Sequence, residues 1–196
     1  MHKSIQNKKM RIQNLLLLLF MTALPLSFGN STKADQKDGR LPVLFDNLLT
    51  APPGPYSIII ESKIWVIWLE SSDKKITELM AQASRATQNK KYTEALNYYT
   101  EVIQHNPNYA EGWNKRALVN YLTGNYDKSL SDINRTLTLE PRHFGAISGQ
   151  GLIYSAQKKW VLAKKSFESA LLIHPNMQGP RLNLKILNRQ NFEEEI

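Results

Sequence analysis

Four histidines are the residues of this 196-residue chain that most readily suggest chemistry: His2, His105, His143 and His174. Imidazole is a common metal ligand and a common general base. No Asp or Glu accompanies any of them in a zinc-type spacing such as HExxH. The last three lie near prolines where helices should end, on successive pairs of helices that would stand roughly 10 Å apart. We therefore expect structural or surface roles for them and no metal site.

Other residue patterns that carry chemistry are missing from the sequence. There is no cysteine, which excludes disulfides, thiolate metal sites and cysteine nucleophiles. No GxxxxGK phosphate loop, GxSxG elbow or GxGxxG nucleotide loop occurs, and Gly149-Gln150-Gly151 is typical of a helix-packing surface. We expect no bound cofactor, no catalytic residue and no enzymatic activity.

The formal charge of +8 has two sources. Lys3, Lys8, Lys9 and Arg11 precede the first long apolar run; without them, 21 basic residues face 17 acidic ones, a balance of +4. Beyond residue 30 no window has the dense Lys and Arg clustering of a phosphate-binding surface. The sequence therefore does not indicate a nucleic-acid partner.

Residues 1–34 have the three parts of an export signal. A basic segment is followed by an apolar run from Leu15 to Leu26 and then by small residues, with cleavage expected near 29 or 34. The apolar run is shorter than the ~20 residues of a membrane-spanning helix. Cleavage is favoured over retention as an uncleaved membrane anchor. A buried helix of the folded domain is disfavoured because the run has no polar face and contains Pro25.

The remainder of the chain contains a repeat of 34 residues. Pro107, Pro141 and Pro175 keep this interval, and proline can close a unit because it cannot continue a helix. Small and bulky residues recur with the same period in the columns Ala83/Ala117/Gly151, Ala95/Ser129/Ala163 and Tyr99/Ile133/Phe167. Small residues let two helices approach, and bulky ones fill the space toward the next unit. The pattern predicts three stacked pairs of antiparallel helices.

This pattern resembles the tetratricopeptide repeat (TPR) family, in units 76–109, 110–143 and 144–177. The middle unit matches best, through AEGWNKRALVNYLTGNYDKSLSDINRTLTLEP. It departs from the family at Asn120, usually an aromatic residue, and at Ser129, usually alanine. The resemblance implies an all-α TPR solenoid of three helix-turn-helix repeats. An unrelated six-helix bundle is the weaker alternative.

The segments on either side of the repeats should also be helical. Residues 35–75 are predicted to form a helical lead-in, with one helix from Leu41 to Leu49 and another within Ser57 to Ser71. The β-branched residues of this second segment also permit a strand, but a helix is favoured because Ile60, Ile64 and Trp68 fall on one helical stripe. This lead-in could be a degenerate repeat that caps the N-terminal end, although Glu61 falls in a column of small residues. Its IW..W pattern (Ile64, Trp65, Trp68) is similar to that of exported bacterial TPR proteins of unassigned activity. A capping helix is expected at 178–191, followed by an acidic tail at 192–196.

In TPR proteins the first helices of successive units line a concave groove, so the resemblance implies a partner-binding surface there. Some relatives clamp a C-terminal carboxylate with Lys, Arg and Asn. The matching positions here are Met80, Ser84, Lys115, Gly145 and Gly149, which leave a single cation. Tyr121 and Leu122 could instead pack against the C-terminal cap or a neighbouring helix. The predicted groove residues are Ser84, Thr87, Gln88, Asn114, Lys115, Leu118, Tyr121, Leu122, Ser148, Leu152 and Ser155.

The sequence thus predicts an exported scaffold or adaptor, periplasmic in location, that holds a protein or peptide in this groove. The alternatives are an envelope assembly factor anchored in the inner membrane by an uncleaved N-terminal segment, and an enzyme whose site is unrecognised. Contact with a membrane is expected only through that N-terminal segment. The oligomeric state is left open.

Overall fold

The structure is a computed structural model that describes residues 35–194, with side chains through residue 189. The expected export signal lies outside the described residues, so its cleavage stays a prediction. Every regular element within the described range is an α-helix, which confirms the all-α prediction. The helices are α1 Leu41–Thr50, α2 Pro55–Leu69, α3 Lys74–Gln88, α4 Tyr92–His105, α5 Ala110–Leu122, α6 Tyr126–Leu139, α7 Phe144–Ala156, α8 Trp160–Ile173 and α9 Gln178–Glu194.

Local sequence signals determine where the repeat helices begin and turn. At the start of α3, the carboxylate of Asp73 accepts hydrogen bonds from the backbone N–H groups of Lys75 and Ile76, which caps the helix. The turn inside each repeat needs a left-handed residue, and Gly124 supplies it in the middle repeat with φ of 76°. Lys90 and Lys158 occupy the equivalent positions with φ of 59°, a conformation that glycine adopts with less strain.

The alternation of small and large residues packs the repeats as the sequence predicts. Gly151 in α7 lies against the ring of Phe167 in α8, and a Cβ atom at Gly151 would stand 2.6 Å from that ring. In the middle repeat, the hydroxyl of Ser129 donates to the carbonyl oxygen of Ala117 at 2.7 Å, so the polar group that replaces the usual alanine is satisfied. α5 pairs with α6, and α7 pairs with α8, through such contacts.

The second departure from the TPR pattern, Asn120, also has a local explanation. Its side chain is buried and donates to Asp132 at 3.2 Å. Asp132 in turn accepts two hydrogen bonds from the guanidinium of Arg116, at 2.8 and 2.9 Å. A polar link between α5 and α6 therefore replaces the aromatic packing that is usual at this position.

The lead-in has the predicted helices, but it does not take the place of a degenerate repeat capping the N-terminal end. Instead, α1 and α2 lie against the later repeats and share a hydrophobic cluster with Phe144 and Ile147 of α7, Ala170 of α8 and Met177. The carboxylate of Glu61 reaches His174 at 3.1 Å, at the end of the third repeat. The physical reason is that Glu61 and the two indole rings of α2 cannot make the close helix approach that a small-residue column allows.

At the other end, α9 packs on α8 and α7 and closes the third repeat, which confirms the capping helix. Leu187 of α9 is buried with Leu152, Ala163 and Phe167. The helix continues through Glu194, beyond the expected end at 191 and into the expected acidic tail. Glutamate is a good helix former, so a run of acidic residues can extend a helix that has already begun.

Candidate functional site

A cleft opens between α5 and α7, with α6 at its floor. Its lining is apolar or uncharged throughout. The cleft brings together four of the eleven predicted groove residues: Asn114, Leu118, Tyr121 and Leu152. The other lining residues are Ala117, Ser129, Ile133, Gly145, Ala146, Gly149 and Ile153.

Two glycines, one helical turn apart, form the α7 wall of the cleft. Gly145 is required by packing, because a Cβ atom there would stand 2.6 Å from the indole ring of Trp65. Gly149 is different: a Cβ atom there would meet only Ile133 Cδ1, at an ordinary contact distance of 3.6 Å. A glycine inside a helix costs about 0.5–1 kcal/mol relative to alanine. Packing explains this cost at Gly145 but not at Gly149.

The predicted groove residues outside the cleft have other surroundings. Ser84 and Gln88 are exposed on α3, and the hydroxyl of Thr87 donates to the carbonyl oxygen of Ala83. Ser148 is buried, and the hydroxyl of Ser155 donates to the carbonyl oxygen of Gly151. Leu122 is half-buried. The structure thus separates these side chains from the cleft.

Lys115, the remaining predicted groove residue, belongs to a buried polar network. Its ammonium lies 3.2 Å from the carboxylate of Glu111, and the two side chains are 13% and 1% exposed. The second carboxylate oxygen of Glu111 lies 2.9 Å from Nε2 of His143. Burial disfavours the charged form of Glu111, but the charge of Lys115 and the hydrogen bond from His143 outweigh it, so the pKa of Glu111 is lowered. The charge of Lys115 is therefore balanced within the protein.

The position of the proton on His143 follows from its second ring nitrogen. Nδ1 accepts a hydrogen bond from the backbone N–H of Ala146 at 3.1 Å, so His143 caps the start of α7. The ring proton is consequently on Nε2, from which it is donated to Glu111. His143 therefore has a structural role: it caps the start of α7 and also contacts the buried ion pair of Glu111 and Lys115.

The indole rings of α2 cover this network. The ring of Trp68 stacks on His143 with centroids 4.1 Å apart and planes inclined by 10°. The ring of Trp65 packs edge-on against Phe144, and the ammonium of Lys115 lies 5.5 Å from its centroid. We call this contact region the lead-in junction. It is formed by Glu61, Trp65 and Trp68 of α2 with Glu111, Lys115, His143, Gly145 and His174.

The sequence indicated the lead-in junction only weakly. The IW..W pattern marked the two indole rings, but nothing in the sequence paired them with His143 or Gly145. Glu111 was not predicted as a site residue, because an acidic residue in the first turn of a helix is ordinary. The contacts join residues far apart in the chain, so no local pattern reports them.

Chemically, the cleft is suited to binding uncharged groups. Two hydroxyls line it: that of Ser129 donates to the carbonyl oxygen of Ala117, and that of Tyr121 has a pKa that burial raises, with a further contribution from Tyr126, so it stays protonated at neutral pH. Over the described side chains, no three His, Asp or Glu residues are grouped as they would be to hold a metal ion. None of the helices described between residues 35 and 194 is both long enough and apolar enough to cross a membrane.

Comparison with known proteins gives both sequence relatives and structural neighbours. A TPR repeat-containing protein of Rhizobium etli is 40% identical over 136 residues, which is 69% of this chain and 67% of that protein. Serine/threonine-protein phosphatase 5 of Rattus norvegicus is 25% identical over 65% of this chain but only 26% of its own length. No protein-family model matches the chain.

Two of the solved structures that share the fold are TPR domains from other proteins. The first TPR domain of Spaghetti, bound to the HSP90 peptide SRMEEVD, aligns with a TM-score of 0.57 and 24% identity, covering 60% of this chain and 93% of that one. The TPR domain of Sgt2 from Aspergillus fumigatus aligns with a TM-score of 0.59 and 20% identity, over 63% and 83%. Since the Rhizobium etli protein is 40% identical to this chain over two thirds of its own length, and these neighbours share the fold, the chain belongs to the tetratricopeptide repeat family.

Proposed function

We propose that this protein is an exported scaffold that holds a protein or peptide partner in the cleft between α5 and α7, and that it catalyses no reaction itself. The observation that carries the proposal is the cleft itself, which combines an uncharged floor with a wall that has no side chain at Gly149. Helix-lined grooves of this kind accept extended peptides or apolar helix faces.

Binding of peptides by similar folds supports the choice of partner. The first TPR domain of Spaghetti is bound to an HSP90 peptide, and a TPR domain of yeast Sti1 is described in complex with an Hsp70 peptide. Hsp70-Hsp90 organizing protein of Triticum aestivum is also similar, at 27% identity over 52% of this chain. These proteins share the repeat fold with this chain, so a protein or peptide is the class of ligand we propose.

Site-specific photocrosslinking tests the groove. A photoreactive amino acid in place of Leu118 lies in the cleft, whereas the same residue in place of Ser131 lies on the exposed face of α6. In cells of the source organism, we expect position 118 to capture a defined protein and position 131 not to capture it. Adding Gly149→Leu should abolish capture, because the new side chain fills the cleft. Equal capture from both positions, or none from 118 in a folded protein, contradicts the proposed groove.

Export is a separate part of the proposal, and it rests on the basic, apolar and small-residue segments at 1–34. Sequencing the N-terminus of the mature native protein tests it. A mature chain that begins after residue 29 or 34 supports a periplasmic protein. An intact Met1 in a membrane fraction supports the alternative of an anchored envelope factor.

A further inference from the structure

The cleft ends at the lead-in junction, where the one cationic position that could bind a negative charge is largely covered. Of the five positions that match the carboxylate clamp of other TPR proteins, one alone is a cation, Lys115. That ammonium is paired with Glu111 at 3.2 Å and lies 5.5 Å from the centroid of Trp65. Its side chain is 13% exposed. A carboxylate placed here would have to displace an internal ion pair and an indole ring.

Trp65 also closes the wall of the cleft at this end. The ring occupies the space in which a side chain at Gly145 would lie, with 2.6 Å between its Cη2 atom and the place of a Cβ atom. Its indole N–H donates to Glu61 at 3.3 Å, and Glu61 also contacts His174. The ring is therefore held in position from α2 and from the end of the third repeat.

What remains open is the stretch of cleft around Gly149, where no charged side chain lines the surface. Leu118 and Leu152 border it and Ile133 forms its floor. Transferring an ionised carboxylate into such surroundings without an unpaired cation is costly, whereas an uncharged apolar side chain gains from the transfer. The uncharged lining of the cleft therefore favours an apolar side chain over a carboxylate.

We infer that the cleft receives an uncharged, apolar side chain from an internal segment of its partner, and that Trp65 determines this specificity by covering the place where a terminal carboxylate would bind. The inference rests on the proposed partner groove and names the chemistry of its ligand. It also assigns a role to the absence of a side chain at Gly149, which packing leaves unexplained.

Two small probes that differ in one group test this specificity. N-acetyl-leucinamide is uncharged, and N-acetyl-leucine has the same side chain with a free carboxylate. We titrate each into the isotope-labelled full chain and follow the methyl signals of Ile133 and Leu152 by NMR. We expect saturable shifts with the amide and at least about tenfold weaker binding of the carboxylate. The acidic peptide SRMEEVD should give no saturable shift.

Variants locate the binding and separate packing from specificity. Gly149→Leu should abolish the shifts, whereas Ser131→Leu, which adds the same side chain on the exposed face of α6, should leave them unchanged. Trp65→Ala should reduce the preference for the amide to less than about threefold, because without the ring a carboxylate can reach Lys115 and compete with Glu111 for its ammonium. Trp65→Phe retains a ring and should keep the preference. Circular dichroism and thermal melting verify that each variant is folded.

The possible outcomes separate this inference from the proposed function. Saturable binding of SRMEEVD, or a carboxylate that binds as tightly as the amide, overturns the inference while the groove remains a peptide site. An unchanged preference in folded Trp65→Ala overturns the role of Trp65. If neither small probe shifts the cleft methyls, the inference is overturned, and capture of a partner from position 118 then decides the proposed function independently.

Discussion

Histidine–carboxylate contacts occur in two different kinds of region among the described residues. At the lead-in junction, His143 meets Glu111 and His174 meets Glu61, and both imidazoles are at most 1% exposed. Where α3 begins and α4 ends, His105 meets Asp73 at the shorter distance of 2.7 Å, but the two side chains are 35% and 42% exposed. The shortest contact is therefore the most hydrated, and we expect burial rather than distance to decide what each contributes.

Removal of the buried carboxylate should have the largest effect. Glu111→Ala leaves the ammonium of Lys115 and the Nε2–H of His143 without their acceptor, inside a region from which water is excluded. Breaking a buried pair in this way destabilises by about 3–5 kcal/mol. Urea unfolding followed by circular dichroism measures the loss. Glu101→Ala, on the exposed side of α4, is the control; equal losses in both variants would show that burial is not the deciding factor.

The two glycines of the cleft wall should respond with opposite signs to the same substitution. Gly145→Ala forces a Cβ atom against Trp65 at the lead-in junction, and overpacking of this kind costs about 1–3 kcal/mol. Gly149→Ala meets only an ordinary contact with Ile133 and should stabilise α7 by about 0.5–1 kcal/mol. Thermal melting of both variants checks this. A loss of stability in Gly149→Ala would mean that the cleft is already filled by packing.

Acid should weaken the lead-in junction through Glu111. Its pKa is lower in the folded protein than its ordinary value of 4.5, so its contribution to stability is complete above that value and is lost as the pH falls through the folded pKa. We expect the free energy of unfolding to fall more steeply below about pH 5 in the wild type than in Glu111→Gln. The pKa of Asp73 is also lowered, chiefly by the hydrogen bond with His105, but it contributes equally to both curves. Parallel curves for the two proteins would contradict this assignment.

The repeats could be predicted from the sequence because the same helix–helix contacts occur in every unit. Each unit needs a small residue where two helices meet and a bulky one behind it, so Gly151 and Phe167 fall into columns that the period of 34 residues reveals. The turn at Gly124 and the closing prolines follow from backbone conformation alone. Physical rules that act locally and repeat are therefore visible in one sequence.

The lead-in junction could not be predicted in the same way. Glu61 and His174 are 113 residues apart, and a pair that occurs once leaves no periodic signal. The groove residues stay a prediction for a related reason. Helical periodicity gives the face of α5 on which Leu118 and Tyr121 lie, and both line the cleft, but it does not show that Ser148 is buried or that α2 covers Lys115.

The exposed contact provides the smallest expected effect. His105→Ala removes the imidazole but leaves Asp73 free to keep capping α3 through the N–H groups of Lys75 and Ile76. Exposed ion pairs contribute little because water and salt screen them, so the melting temperature should change by no more than about 2 °C. Asp73→Ala should cost more, since it removes the helix cap as well as the contact. If His105→Ala lowers stability as much as the loss of Glu111, proximity rather than burial governs these contacts, and the distinction between the two regions is wrong.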